Sequence, residues 1–201
     1  MSKADLQRCP WCGTDELYQR YHDSEWGVPH ADDVKLFEKL VLEGFQSGLS
    51  WITILRKREN FRKAFQGFDA ARIVTFGDAD KARLMADAGI IRNRLKIEAT
   101  IDNARAYLKL RERQTLASFL WELLDGRAQQ NAFAEHKQIP PQTDASARLS
   151  KALKKEGFRF VGPTTLYAFM QSVGMVNDHL TGCHRHAACG ALQTAFKAPG
   201  G

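Results

Sequence analysis

The chain has 201 residues, 44% of them hydrophobic and 26% charged, enough to bury a core without disulfide staples as one domain or two packed lobes. Its 29 basic and 23 acidic side chains leave a formal net charge of +6, which suits a polyanion such as DNA and equally describes a basic, solvated surface. Nowhere do enough apolar residues follow one another to span a bilayer, and Met1-Ser2-Lys3-Ala4-Asp5 leads into no export signal, so the expected setting is a reducing cytoplasm.

Helical periodicity runs through most of the chain. Asp32 or Asp33 can cap a helix carrying Leu36, Phe37, Leu40, Val41 and Gly44 on one face, with Gly48 ending it. Ser50 can cap the next, which holds Trp51, Ile54, Leu55, Arg58 and Phe61 in register. Asp69 and Asp78 offer further caps, and Gly89 breaks between Leu84-Met85 and a helical stretch from Leu95 to Leu110. Leu116 to Leu124 forms a short helix, and residues 125–145, interrupted by Pro140-Pro141, read mostly as connection. A helix near Ala147 to Glu156 stops at Gly157, and Pro163 fits the first turn of one reaching about Gly174. No alternating strand of useful length is present. The expectation is an all-α fold, residues 1–186 forming a single domain of two packed lobes and 187–201 a frayed tail.

Cysteine and histidine gather at both ends. Cys9-x12-His22 and His179-x3-Cys183 each supply half of a tetrahedral zinc site, and two thiolates with two imidazoles leave no open position for a reacting water. Such a closed site clips chain segments together. Cys9-Pro10-Trp11-Cys12 also has redox spacing, though no strand pattern follows it, and His184, His186 and Cys189 allow the second pair to be drawn differently.

Glu43 lies at the edge of the apolar stripe of its helix, where a carboxylate either reaches water or needs a donor. Trp51 follows eight residues later across Gln46-Ser47-Gly48-Leu49, and Tyr21 and Trp11 neighbour the ligand candidates His22 and Cys9. Three aromatic residues and one acid, fixed by a metal clip, can form a flat pocket for a planar, electron-poor ring; singly, each aromatic residue reads as core. Between two helices, Ala88-Gly89-Ile90-Ile91-Arg92-Asn93-Arg94-Leu95-Lys96 makes a glycine hairpin with cationic neighbours, a phosphate-binding arrangement.

Tyr21 to Pro29, read as YHDSEWGVP, resembles the N-terminal signature of the bacterial 3-methyladenine DNA glycosylase I family, and Glu43 to Trp51, EGFQSGLSW, its base-pocket segment. The blocks Ala88 to Arg92, Lys154 to Gly162 and Val176 to His179 continue the match over nearly the whole chain. The resemblance implies a helix-hairpin-helix glycosylase with one structural Zn2+ held by Cys9, His22, His179 and Cys183. It further implies that Tyr21, Glu43 and Trp51 recognise the base, with Trp11 beside them and Glu43 the group acting on it. Gly48 and Leu49 then wedge into the DNA stack, and Gly89, Arg92 and Lys96 hold the backbone. The implied substrate is double-stranded DNA containing 3-methyladenine, the product the free base, and the enzyme a cytoplasmic monomer. Asp102, on the helix after the hairpin, tempts as a catalytic aspartate but reads as a surface residue, because the family lacks one at that place. A zinc-dependent base deaminase requires H-x-E, which is absent, and a non-catalytic DNA-binding module leaves Glu43 beside Trp51 unexplained.

Overall fold

The computed structural model describes residues 6–199; the first five residues, read above as lacking an export signal, lie outside it. Asp15 accepts the Tyr18 N–H at 2.9 Å and starts α1 (Glu16–Ser24), a helix the sequence reading did not pick out. Asp32 then caps α2 (Asp33–Gln46), the organising helix, whose Leu36, Phe37, Leu40, Val41, Leu42 and Phe45 are all buried. Around it stand α3 (Trp51–Ala64), α4 (Ala70–Ile73), α5 (Asp78–Ala86), α6 (Arg94–Arg111) and α7 (Leu116–Glu122). The chain closes with α8 (Asp144–Lys155), α9 (Pro163–Ser172) and α10 (His186–Ala195). Helix α2 packs against α3, α6, α7 and α9 through its apolar residues. No helix among the described residues is long and apolar enough to cross a membrane.

Capping follows the sequence in part. Asp69 accepts from Ala71 N, but Asp78 is the first helical residue of α5 rather than its cap, and Asp80 reaches back to Gly77 N at 3.2 Å. Gly157 takes a left-handed φ of 96° after α8, and Pro163 occupies the first turn of α9, as expected. At Gly174, φ is 71° and a Cβ would stand 2.4 Å from Pro29 N, so only glycine lets the end of α9 cross the segment after α1.

Two findings correct the sequence reading. The 125–145 connection contains β1 (Gln129–Gln130), which pairs in parallel with β2 (Val176–Asn177), joining the connection to the metal-bearing segment. The tail is not frayed beyond residue 187: α10 buries Cys189 and Gln193, and Gln193 Nε2 donates to Gly27 O at 2.8 Å. Gly190 lets this helix lie against the side chains of Gln130 and Asn177, where a Cβ would stand 3.2 Å and 3.5 Å from them.

Candidate active site and metal centre

Helix α1 serves two sites at once, because consecutive residues Tyr21 and His22 point to different neighbours. His22 turns toward Cys9, His179 and Cys183, all four buried, with one donor atom from each lying within 4.8 Å of the others. Cys9 Sγ is 3.7 Å from His179 Nδ1, and Cys183 Sγ is 3.4 Å from His22 Nε2 and 3.6 Å from His179 Nδ1. A tetrahedral zinc with ordinary Zn–S and Zn–N bonds sets sulfur and nitrogen about 3.6 Å apart, so the cluster fits the ion. Both imidazoles are oriented from behind. Asp23 Oδ1 lies 2.8 Å from His22 Nδ1, and Trp26 O lies 3.1 Å from His179 Nε2, leaving the other ring nitrogens available to a metal. Arg8 holds Asp23 in turn through Nε and Nη2. Cys12 instead donates to Cys9 O, His184 leans on Gln7 O and His186 on Asn131 O, so none of the three belongs to the cluster.

Tyr21 faces the other way, into a cavity of about 380 Å³. Trp11, Tyr21, Glu43 and Trp51 all line it, as the sequence reading expects. Tyr18, Trp26, Gln46, Ser50, His136, Ile139, Ala168 and Gln171 complete the wall and were not foreseen. Tyr18 lies one turn before Tyr21 on α1, so it was missed along with that helix. His136 and Ile139 come from the stretch read as connection.

The rings form a tilted cage rather than a sandwich. Tyr21 and Trp51 have centroids 5.5 Å apart at 41°, and Trp11 meets Trp26 at 5.0 Å and 67°. Trp51 Nε1 is buried with no hydrogen-bond partner among the described residues. Glu43 is only 3% exposed, and burial pushes its carboxyl up from the usual range, opposed by Lys39 one turn earlier on α2. Lys39, also missed, donates from Nζ to Tyr21 Oη at 2.9 Å and sits 4.4 Å from the ring centroids of both Tyr21 and Trp51. Burial pulls its ammonium down while Glu43 and Glu25 support the charge. An internal cation on these two rings shows that their electron density faces a positive group already.

Beside the cavity, the turn after α2 carries Gly48 at φ 85° and Leu49 at 38% exposure, a large apolar side chain held out from the surface. Leu49 N bonds to Gln46 O and Gln46 Nε2 returns to Leu49 O, which closes the turn. The hairpin between α5 and α6 departs from expectation at two of its three residues. Lys96 is buried at 8% exposure, its ammonium donating to Phe45 O at 2.9 Å and Ser47 O at 2.7 Å, so it ends α2 rather than meeting phosphate. Gly89 N is taken by Asp87 Oδ1 at 2.7 Å, leaving no free amide there. Arg92 remains exposed. Asp102 pairs with Arg105 at 2.8 Å and Arg159 at 2.6 Å on the surface of α6 and does not line the cavity.

Known proteins share this arrangement. The family model for methyladenine glycosylase matches residues 11–186. DNA-3-methyladenine glycosylase 1 of Escherichia coli K12 is 50% identical over 179 residues, 89% of this chain and 96% of the relative. A crystal structure of 3-methyladenine DNA glycosylase I superposes with a TM-score of 0.88 at 52% identity, covering 90% of this chain and all of the other. The Staphylococcus aureus 3-methyladenine DNA glycosylase I, solved for the structural basis of 3-methyladenine recognition, gives 0.86 at 34% identity over 90% of this chain and 97% of its own. With identity of this extent over nearly the full length of each relative, the chain belongs to the methyladenine glycosylase family.

Proposed function

We propose that the chain hydrolyses the N-glycosidic bond of 3-methyladenine in double-stranded DNA, releasing the free base and leaving an abasic site. The observation that carries this reading is one buried carboxylate, Glu43, in a cavity walled by aromatic rings. Methylation at N3 puts positive charge on the attached adenine, so it departs as a neutral base and needs little help from a general acid. The cavity agrees with that economy, since Glu43 is its one acidic lining residue among those described.

Tyr21, Trp51 and Trp11 flank the cationic ring, with cation–π attraction worth ~1–2 kcal/mol in a dry pocket. Glu43 accepts from the exocyclic amine or a protonated ring nitrogen. Unmodified adenine offers a weaker π-partner and a far poorer leaving group, so selectivity rests on charge and on the lesion's own lability. Leu49, carried by the Gly48 turn, fills the space the flipped base vacates, offsetting a few kcal/mol of lost stacking. Arg92 meets the DNA backbone.

The ion of the four-ligand cluster is zinc, whose preferred donors are these thiolates and imidazoles. It supplies folding energy rather than chemistry, because protein groups fill every position. Helix α1 then carries the effect to the pocket, His22 fixing the backbone from which Tyr21 projects. The enzyme acts as a monomer on DNA in the cytoplasm. Incubation with methylated DNA should release free 3-methyladenine. Binding to that DNA without release of any base would reduce the protein to a non-catalytic module.

A further inference from the structure

Gln171 stands on α9 at the cavity wall, across from Glu43 on α2. Its side-chain amide is oriented by a residue that does not line the cavity. Asp178, 1% exposed, follows β2, and its oxygens accept from Tyr167 Oη at 2.6 Å, Gln171 Nε2 at 2.7 Å and Asn131 Nδ2 at 2.7 Å. All three neighbours donate to it. Gln171 must therefore turn its nitrogen toward Asp178, and the polar atom it has left for the cavity is Oε1. That oxygen accepts from no group among the described residues.

Glu43 on α2 and Gln171 on α9 line the same cavity, and a 6-amino purine has two amine hydrogens to offer two acceptors. A 6-oxo purine presents an acceptor to both. Glu43 alone reads this difference poorly, because burial pushes its carboxyl up and a carboxyl that takes up a proton can donate to an oxo oxygen. Gln171 has no such freedom. Turning its amide over would break the bond to Asp178 and set its carbonyl oxygen against the carboxylate.

We propose that Gln171, held in one sense by Asp178, selects a 6-amino over a 6-oxo purine in this pocket, with Asp178 as its positioning residue. This rests on the base-pocket reading above and extends it to the rejection of guanine-type lesions.

The test titrates 3-methyladenine and 3-methylhypoxanthine, its 6-oxo counterpart, into the full metal-loaded chain and two variants. Wild type should prefer the amine. Gln171→Met keeps the length of the side chain but not the acceptor, and should cut the ratio of affinities by about tenfold, as for one neutral hydrogen bond. Asp178→Asn offers an NH2 to Gln171 and lets the amide turn, so the 6-oxo ligand should gain and the amine lose. Loss of packing alone would weaken both ligands together. If Asp178→Asn fails to fold beside the ligand His179, Gln171→Met decides alone. A wild type that binds neither purine sinks the base-pocket reading and this inference with it. A wild type that binds 3-methyladenine but discriminates no better than Gln171→Met overturns the inference alone.

Discussion

Replacing Glu43 by glutamine keeps the volume and one acceptor oxygen and removes the charge. The carboxyl is almost fully buried, and burial is the largest influence on it, with Lys39 the main opposing one. A charged hydrogen bond in such a setting is worth about 1.5–3 kcal/mol, so Glu43→Gln should weaken binding of free 3-methyladenine roughly ten- to hundredfold. Excision should slow without vanishing, because methylation itself activates the leaving group. The fold should be spared, since Lys39 keeps Glu25 and Glu38 as acidic neighbours. Stability against pH supplies an independent readout. A carboxyl whose folded pKa is raised costs more to ionise in the folded chain than in the unfolded one. Its contribution is therefore fully present below the unfolded carboxylate pKa and is lost as pH rises through the folded value. That loss should disappear in Glu43→Gln. Isothermal titration of 3-methyladenine, with thermal unfolding between pH 4 and 8 in steps of about one unit, measures both effects. Equal affinities in wild type and variant would refute a recognition role, and identical pH profiles would refute the burial argument.

Other perturbations separate the metal, the helix end and the wedge. Cys183→Ala should lose zinc and stability together by elemental analysis and thermal melting, whereas Cys12→Ala, whose sulfur donates to Cys9 O, should lose neither. Lys96→Ala should destabilise by about 2–3 kcal/mol in urea unfolding, because two carbonyls at the end of α2 lose a charged donor. Its salt dependence of DNA binding should stay that of wild type, while Arg92→Ala should shrink that slope by about one counterion. Leu49→Ala should weaken binding to lesion-bearing duplex but leave the affinity for the free base unchanged, as calorimetry with each ligand will show.

The sequence is most legible where chemistry and periodicity coincide. Cys9, His22, His179 and Cys183 have the ligand types and half-site spacings of a metal clip, and the structure gathers their donor atoms. Glu43 stood out as a carboxylate on an apolar stripe, and it is buried at the cavity. Lys39 escaped notice because it lies one turn before Glu43 and looks like any helix lysine until Tyr21 and Trp51 close over it. Lys96 misled for a related reason: a lysine in a basic hairpin carries no sign that α2 ends within its reach. Helix α10 escaped because its burial depends in part on Gly27, remote in sequence, whose carbonyl Gln193 meets. His136 lines the cavity from the stretch after β1, and a two-residue strand leaves no alternation to read.

The pairing of Tyr21 with His22 on one helix has a consequence for synthesis. A ribosome releases the N-terminal segment, α1 and α2 well before His179 and Cys183. Until then His22 and Cys9 have only half of their donor set, and the segment bearing Trp11 and Tyr21 has no anchor. The nascent chain therefore holds its aromatic residues without a cage until His179 and Cys183 have followed. A polypeptide cut short before Cys183 lacks one of the four donors and should neither retain a metal ion nor bind 3-methyladenine, even with Glu43, Leu49 and Trp51 all translated.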